Sequence, residues 1–328
     1  MALAKLLAEN KHELLVWEFN PGFLSTLKTT HSSPALLKGI TLPTDISFTD
    51  SFADIAAWDS EIVVLSTPSQ FIRATLRRIP ATQAEHIWQN PKLKAVVNVA
   101  KGIEEQSLKT IDQILFDELP PAIHGKICAL SGPSHAEEVA RGIPTTVVIA
   151  GSDEELLIQL QDVFSNQYFR AYRSMDIIGV EIGGAVKNII AIAAGIVSGL
   201  GYGDNTMGAL LTRGIVEISR FGQEMNALPE TFLGLSGIGD LITTAISPNS
   251  RNRHVGLEIG KGRSLADIQA SMQMVAEGVA TTRSVYQLSQ KLGIDMPIVR
   301  EVYKILYEAK DPHSAMRDLM LRELKAEF

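Results

Sequence analysis

The segment of residues 181–195 carries the most specific chemistry in this sequence. It reads Glu-Ile-Gly-Gly-Ala-Val-Lys-Asn-Ile-Ile-Ala-Ile-Ala-Ala-Gly, so Lys187 and Asn188 lie inside an otherwise apolar helix rich in small residues. An ammonium group forced into an apolar site loses solvation, which lowers its pKa and lets it accept or donate a proton. A lysine that reaches solvent along the helix surface is the alternative. Lys187 is our candidate for proton transfer.

A second polar cluster lies between residues 237 and 253. Asp240 and Thr244 are four residues apart and therefore share one face of a helix. Ser250, Arg251 and Asn252 follow a proline on a predicted loop, and arginine can bind phosphate through two parallel N–H bonds. A capped helix followed by a solvated basic turn would give the same pattern.

Three further loops each follow a predicted strand, at residues 66–69, 101–102 and 132–134. Ligands of open α/β sheets bind beyond the carboxyl ends of the strands. Lys101 can place its charge on a phosphate or carbonyl oxygen, although an ordinary surface lysine fits the position as well. Gly132 and Ser134 would offer backbone amides to an anion at a helix start, unless Ser134 is simply an N-cap.

The elements that position these residues change in character along the chain. Short, continuously apolar, β-branched runs predict strands buried on both faces of a parallel sheet, at residues 14–17, 62–65, 95–99, 127–130 and 145–149. Ser134 with Glu137, and Ser152 with Glu155, each predict a capping box that opens a helix. From residue 175 onward the pattern is helical. We predict an α/β, doubly wound (Rossmann-type) parallel-sheet domain over residues 1–174 and an all-α C-terminal domain over residues 175–328.

A doubly wound dinucleotide-binding domain normally opens with a strand, a G-x-G-x-x-G loop and a helix that receives the pyrophosphate. Residues 2–10 read as that helix, and the glycines at 199–203 and 237–239 do not follow a strand. We therefore expect the first strand and the glycine loop to be absent, through a late start site or a real loss.

Glu18 ends the next strand and could accept hydrogen bonds from both ribose hydroxyls of a dinucleotide. Such a contact would favour NAD over NADP. The alternative is that Glu18 is simply a solvent-exposed charge at the end of a strand.

Composition excludes several classes of protein. The net charge of −7 and the lack of Lys/Arg runs argue against nucleic acid as the main partner. A single cysteine, Cys128, excludes an internal disulfide and fits a reducing compartment. Residues 177–200 are long and apolar enough to span a membrane, but Glu181 and Lys187 interrupt them. We expect a buried helix of a soluble protein and no membrane span.

Taken in order, seven short segments resemble the bacterial type of NAD(P)-dependent sn-glycerol-3-phosphate dehydrogenase. They are V-A-K-G-I-E (99–104), S-G-P-S-H-A-E-E (131–138), E-I-G-G-A-V-K-N (181–188), T-R-G (212–214), G-D-L-I-T-T (239–244), S-R-N-R (250–253) and V-A-E-G (275–278). The resemblance covers nearly the whole chain. It implies a cytoplasmic, homodimeric enzyme that reduces dihydroxyacetone phosphate to sn-glycerol 3-phosphate with NADH or NADPH and feeds glycerophospholipid synthesis.

The resemblance also assigns roles to residues. Lys187 matches the proton acceptor for the alcohol, and the implied substrate contacts are Lys101, Gly132, Ser134, Lys187, Asp240, Ser250, Arg251 and Asn252. The implied cofactor contacts are Lys101, Ala136, Arg251, Val275 and Glu277, to which our own reasoning adds Glu18.

The sequence departs from the family at two of these positions. His135 stands where the family often has phenylalanine or tyrosine. Phe19 stands where many bacterial members have arginine, and the lack of this positive charge weakens the case for NADP. The alternatives to this function are a related dehydrogenase of a hydroxyacid and an inactive truncated remnant.

Overall fold

The computed structural model describes residues 1–272, 274–324 and 326–327. The chain divides into two compact units. The first unit comprises Met1–Ala100 and Thr110–Glu181, and the second comprises Lys101–Lys109 and the chain from Ile182 onward.

The first unit alternates strands with helices. Its strands are β1 (Leu15–Trp17), β2 (Ser32–Ser33), β3 (Leu37–Thr41), β4 (Ser47–Thr49), β5 (Ile62–Leu65), β6 (Ala95–Asn98), β7 (Ile127–Ser131), β8 (Thr145–Gly151) and β9 (Phe169–Ser174). Its helices are α1 (Ala2–Glu9), α2 (Pro21–Thr30), α3 (Phe52–Ala57), α4 (Ile72–Arg77), α5 (Ala81–Trp88), α6 (Ile111–Glu118), α7 (Ala136–Ala140) and α8 (Glu154–Phe164). Short 3₁₀ turns lie at Ser69–Phe71 and Pro121–Lys126.

Five of these strands form one sheet in the order β5-β6-β7-β8-β9. The neighbouring strands are parallel except for β7 and β8, which run antiparallel. The expected α/β architecture is confirmed, and the antiparallel pair is a detail that the sequence did not predict. The connection between β7 and β8 contains only the five-residue helix α7. At ~1.5 Å per residue this helix is too short to carry the chain back along a strand, as a parallel crossover requires.

The buried strand β6 shows why apolar runs form this sheet. Its side chains alternate between two cores: Ala95 and Val97 pack in one cluster with Leu6 of α1, and Val96 packs in another with Ile114 of α6. A strand covered by helices on both faces has no polar face, and a continuous apolar run is the result.

Strands β1 and β4 form a separate parallel pair, Leu15–Trp17 against Ser47–Thr49. Within residues 1–272, 274–324 and 326–327, no strand pairs with the other edge of β1 or with the edge of β5 that faces away from β6. Both strands are only half-buried, whereas β6 is buried throughout.

Both predicted capping boxes are wrong. Helix α8 begins one residue later than expected, because the carboxylate of Asp153 accepts hydrogen bonds from the second and third backbone N–H groups of the helix, at 3.0 and 3.2 Å. Helix α7 begins after His135 without a side-chain cap. The hydroxyl of Ser134 instead donates to the carbonyl oxygen of Gly132 at 3.1 Å.

The second unit is helical in the part that the structure describes, as predicted. Its helices are α9 (Ile177–Gly199), α10 (Asp204–Glu224), α11 (Asp240–Ile246), α12 (Arg251–Gly260), α13 (Leu265–Ser271), α14 (Glu277–Leu292), α15 (Pro297–Tyr307) and α16 (Pro312–Met320). A 3₁₀ turn lies at Pro229–Leu233 and a single π-helical turn at Leu235–Gly239. The domain boundary predicted between residues 174 and 175 falls at the end of β9, and the chain passes from the first unit to the second inside α9, after Glu181.

Helix α9 is long and apolar enough to cross a membrane, but 89% of its most apolar window is buried inside the protein. It is therefore a core helix, as the interrupting polar residues indicated.

Glycines bring α9 and α12 into backbone contact. A Cβ atom added at Gly195 of α9 would lie 2.1 Å from the carbonyl oxygen of Arg253, and one added at Gly256 of α12 would lie 1.9 Å from that of Ile192. No other residue type fits at this distance without moving the helices apart. The contact fixes the position of α12 and of the polar residues at its start.

Candidate active site

The ammonium group of Lys187 lies inside the second unit, with the residue only 5% exposed. Its Nζ donates to Asp240 Oδ1 at 2.9 Å and to Thr244 Oγ1 at 2.5 Å. The sequence allowed Lys187 to be either solvated or buried, and in the structure it is buried. Lys187 is thus held by two side chains of α11 in a site that is largely shielded from solvent.

The carboxylate of Asp240 bridges two lysines. Its Oδ2 accepts from Lys101 Nζ at 2.6 Å, and its Oδ1 also accepts from the hydroxyl of Thr244 at 3.2 Å. Asp240 is the first residue of α11 and follows the π-helical turn directly, so its backbone N–H donates to the carbonyl oxygens of Leu235 and Gly237. Because Asp240 and Thr244 are four residues apart, they lie on the same face of α11 and both contact Lys187.

The electrostatics of this cluster lower the pKa of the lysine and favour an ionised aspartate. Burial lowers the pKa of Lys187 to about 8, and the attraction of Asp240 opposes this only in part. Burial alone would raise the pKa of Asp240, but the ammonium groups of Lys101 and Lys187 hold it below its usual value. The charge of Glu277 also raises the pKa of Lys187. Near neutral pH the three groups Lys101, Asp240 and Lys187 carry one excess positive charge, which suits an anionic ligand.

The start of α12 is joined to residues 275–278. Ser250 caps the helix by accepting from Arg253 N at 3.2 Å. The exposed Arg251 donates through Nη1 to the carbonyl oxygen of Val275 at 3.0 Å, and Asn252 Oδ1 accepts from Gly278 N at 2.9 Å. The structure therefore brings together Ser250, Arg251, Asn252, Val275 and Glu277, which the sequence presented as two distant segments.

Three predicted site residues lie in the first unit, just after β7. Gly132 is buried with a φ of +133°, and a Cβ there would lie 3.0 Å from Val147 Cα. Only glycine adopts this conformation readily, so the turn after β7 depends on it. Ser134 is half-buried and Ala136 is exposed at the start of α7.

Glu18 directly follows β1 and is half-buried. Its Oε1 accepts from Asn20 N at 2.8 Å, and no donor lies on Oε2 in the described part of the chain. The rings of Trp17 and Phe52 stack nearby at 5.0 Å, and Phe19 is 63% exposed. A carboxylate with a free oxygen beside exposed aromatic surface fits the ribose hydroxyls and flat base of a dinucleotide.

Sequence reasoning missed one buried polar pair in the first unit. Asn98, the last residue of β6, donates through Nδ2 to Glu181 Oε1 at 2.9 Å. The signal was a polar residue at the end of an apolar strand and a carboxylate in an apolar helix, but their pairing depends on the fold.

Comparison with known proteins decides the family. The N-terminal model of NAD-dependent glycerol-3-phosphate dehydrogenases matches residues 1–157, and the C-terminal model matches residues 176–317. The chain belongs to this family. Glycerol-3-phosphate dehydrogenases [NAD(P)+] of Geobacter metallireducens and Syntrophotalea carbinolica are 44% and 45% identical to it, over 99% of this chain and 95% and 96% of theirs. The chain is therefore an oxidoreductase of the NAD(P)-dependent glycerol-3-phosphate dehydrogenase family, as the resemblance implied.

Comparison with solved structures supports the same family. Glycerol-3-phosphate dehydrogenase of Coxiella burnetii matches with a TM-score of 0.89 at 30% identity, over 98% of this chain and 95% of that one. A ketopantoate reductase of Ralstonia eutropha shares the fold alone, with a TM-score of 0.55 at 12% identity. The comparisons thus support the glycerol-3-phosphate dehydrogenase interpretation and not the related hydroxyacid dehydrogenase.

Proposed function

We propose that this chain interconverts dihydroxyacetone phosphate and sn-glycerol 3-phosphate, with Lys187 holding the proton of the reacting oxygen. The nicotinamide, when bound, supplies or accepts the hydride. The single observation that carries the proposal is the buried contact of Lys187 with Asp240 and Thr244. A lysine whose pKa is about 8 can give its proton to a forming alkoxide and take it back in the reverse reaction.

Lys101 and Asp240 complete this centre. Asp240 orients both ammonium groups, and the excess positive charge of the cluster stabilises negative charge that develops on the oxygen. Because the array exists before the substrate arrives, little reorganisation is needed during the reaction.

We assign the substrate's phosphate and hydroxyl groups to Ser250, Arg251 and Asn252 of the second unit, and to Gly132 and Ser134 of the first. Arg251 is exposed and uses one nitrogen for Val275, so its other N–H groups can bind a phosphate oxygen. The hydroxyl proton of Ser250 is likewise available, since its oxygen caps α12 as an acceptor.

For the cofactor we propose Glu18 and Ala136 in the first unit, and Lys101, Arg251, Val275 and Glu277 in the second. The carboxylate of Glu18 accepts hydroxyls and repels a 2′-phosphate, which supports a preference for NAD. The exposed Phe19 adds no positive charge that a 2′-phosphate would need.

We further propose that the reaction runs toward glycerol 3-phosphate for glycerophospholipid synthesis in the cytoplasm, and that the enzyme is a homodimer. These proposals follow the family resemblance. Large apolar side chains exposed on the second unit, such as Leu233 and Ile246, support a partner surface. Light scattering of the purified chain measures the mass and tests the dimer.

The direct test is consumption of NADH with dihydroxyacetone phosphate by the wild type, Lys187→Ala and the control Lys291→Ala, which changes an exposed lysine of α14. Loss of turnover in Lys187→Ala alone supports the assignment, and normal turnover in that variant refutes it.

Melting temperatures of the chain with NADH and with NADPH test the alternative of an inactive remnant. If neither cofactor raises the melting temperature, an inactive remnant becomes the better interpretation.

A further inference from the structure

A buried carboxyl group of the first unit is unused by this mechanism. Glu181 is 7% exposed, and both of its oxygens accept hydrogen bonds. Oε1 accepts from Asn98 Nδ2 at 2.9 Å, and Oε2 accepts from the backbone N–H of Asp112 at 3.1 Å.

The two donors lie at opposite ends of one segment. Asn98 is the last residue of β6, and Asp112 is in the first turn of α6, so the segment between them contains Lys101. Asn98 also holds the residue before Lys101: Ala100 N donates to Asn98 Oδ1 at 2.9 Å, and Asn98 Nδ2 donates to the Ala100 carbonyl at 3.2 Å. A single carboxyl group thus ties down both ends of the segment that carries Lys101.

The surroundings favour the uncharged form of this carboxyl group. Burial and the neighbouring carboxylate of Asp112 raise the pKa of Glu181 well above its usual range. Asp112 is itself buried and accepts from the hydroxyl of Thr110. A neutral carboxyl still accepts through its carbonyl oxygen, so an amide of the same shape can replace it at Asn98.

We propose that Glu181 is a positioning residue for Lys101, because it fixes both ends of the segment from which that lysine reaches Asp240. The role rests on the proposed function of Lys101 and involves no contact of Glu181 with substrate or cofactor. Leaving Asn98 and the Asp112 N–H without their acceptor frees the segment, and Lys101 then loses its fixed position.

The test is a double-mutant cycle in the full chain with Glu181→Ala, Glu181→Gln and Lys101→Ala. Misplacing a catalytic group by about 1 Å costs up to about a hundredfold, so we expect Glu181→Ala to lower kcat/KM by roughly ten- to a hundredfold. Glu181→Gln should cost less than Glu181→Ala, because its amide oxygen still accepts from Asn98 although its NH2 group cannot accept from the Asp112 N–H. Glu181→Ala should cost nothing further once Lys101 is alanine.

Two measurements separate this role from simple destabilisation. Hydrogen exchange of the peptide spanning residues 99–110 should quicken in Glu181→Ala, and by less in Glu181→Gln, which keeps the acceptor for Asn98, whether or not the enzyme turns over. The control Glu301→Ala removes another buried glutamate, one paired with Lys304 and Lys310, and its effect should add to that of Lys101→Ala. Additive losses for Glu181 and Lys101, or unchanged exchange in Glu181→Ala, would overturn the proposal. A wild type that does not reduce dihydroxyacetone phosphate would instead refute the proposed function.

Discussion

Replacing Gly256 by alanine tests whether the contact between α9 and α12 positions the anion-binding side chains. The new Cβ would lie 1.9 Å from the carbonyl oxygen of Ile192 and 2.9 Å from the nitrogen of Ile196. Ordinary contacts begin at 3.4 Å, so the two helices must separate by about 1.5 Å, and overpacking of this kind costs about 1–3 kcal/mol of stability.

The displacement acts on the site because Asn252 lies one turn before Gly256 on the same helix. Asn252 accepts from Gly278 N at 2.9 Å, and a Cβ at Gly278 would lie only 2.7 Å from its Oδ1, so the start of α14 moves with α12 or loses this bond. Since a shift of 1 Å in a positioning group can cost a hundredfold, we expect kcat/KM for dihydroxyacetone phosphate to fall by about ten- to a hundredfold.

The control is Gly208→Ala in α10, where no atom lies within 4 Å of the added Cβ. Alanine in an exposed helix interior should raise the free energy of unfolding by about 0.5–1 kcal/mol and leave kinetics unchanged. Both variants are assayed by NADH absorbance at a temperature where circular dichroism shows them folded. Wild-type kcat/KM in folded Gly256→Ala would refute the reasoning.

Three further predictions concern titration and phosphate binding. Lys187 accepts a proton only when neutral and donates only when charged. The kcat/KM for glycerol 3-phosphate oxidation should therefore rise with pH to a plateau above about 8, and that for the reduction should fall over the same range; a flat oxidation profile would contradict this role. Arg251→Ala should raise KM for dihydroxyacetone phosphate about ten- to a hundredfold, since a charge-assisted hydrogen bond contributes about 1.5–3 kcal/mol; an unchanged KM would place the phosphate elsewhere. Burial raises the pKa of Glu217 to about 7 from its ordinary 4.5, although Ile298 N and Val299 N donate to it. Its neutral form then stabilises the fold fully below pH 4.5, and this contribution is lost as the pH rises through 7. Across that pH range, the melting temperature of Glu217→Gln should fall less than that of the wild type. Parallel pH dependences of the two melting temperatures would contradict the assignment.

The sequence predicted the buried strands better than the exposed ones. Strands β5 to β8 are apolar runs, which only a sheet covered on both faces explains. Strand β9 escaped notice because it lies at the edge of the sheet and alternates buried Phe169 and Ala171 with exposed Arg170 and Tyr172. Strands β2 to β4 are short and rich in serine, threonine and lysine, so they carry no apolar pattern.

The candidate site was predictable one residue at a time, but its contacts were not. Lys187 stood out as a charge in an apolar helix, and Asp240 and Thr244 as a pair on one helix face. That these meet depends on how α9 packs against the chain fifty-three residues later. The pairing of Asn98 with Glu181 spans a still longer separation and required the folded sheet.

The two hydrogen bonds of Lys187 bear on the stereochemistry of the product. A lysine ammonium has three N–H bonds in a tetrahedral arrangement, and Asp240 and Thr244 occupy two of them. The third N–H is therefore restricted to one direction, and a carbonyl oxygen that accepts it takes one orientation. The carbonyl group can still turn about this hydrogen bond, so a second contact must decide which face of the carbonyl carbon meets the hydride donor. One lysine thus fixes where the reacting oxygen lies, and we expect the side chains that bind the phosphate to set the handedness of the secondary alcohol.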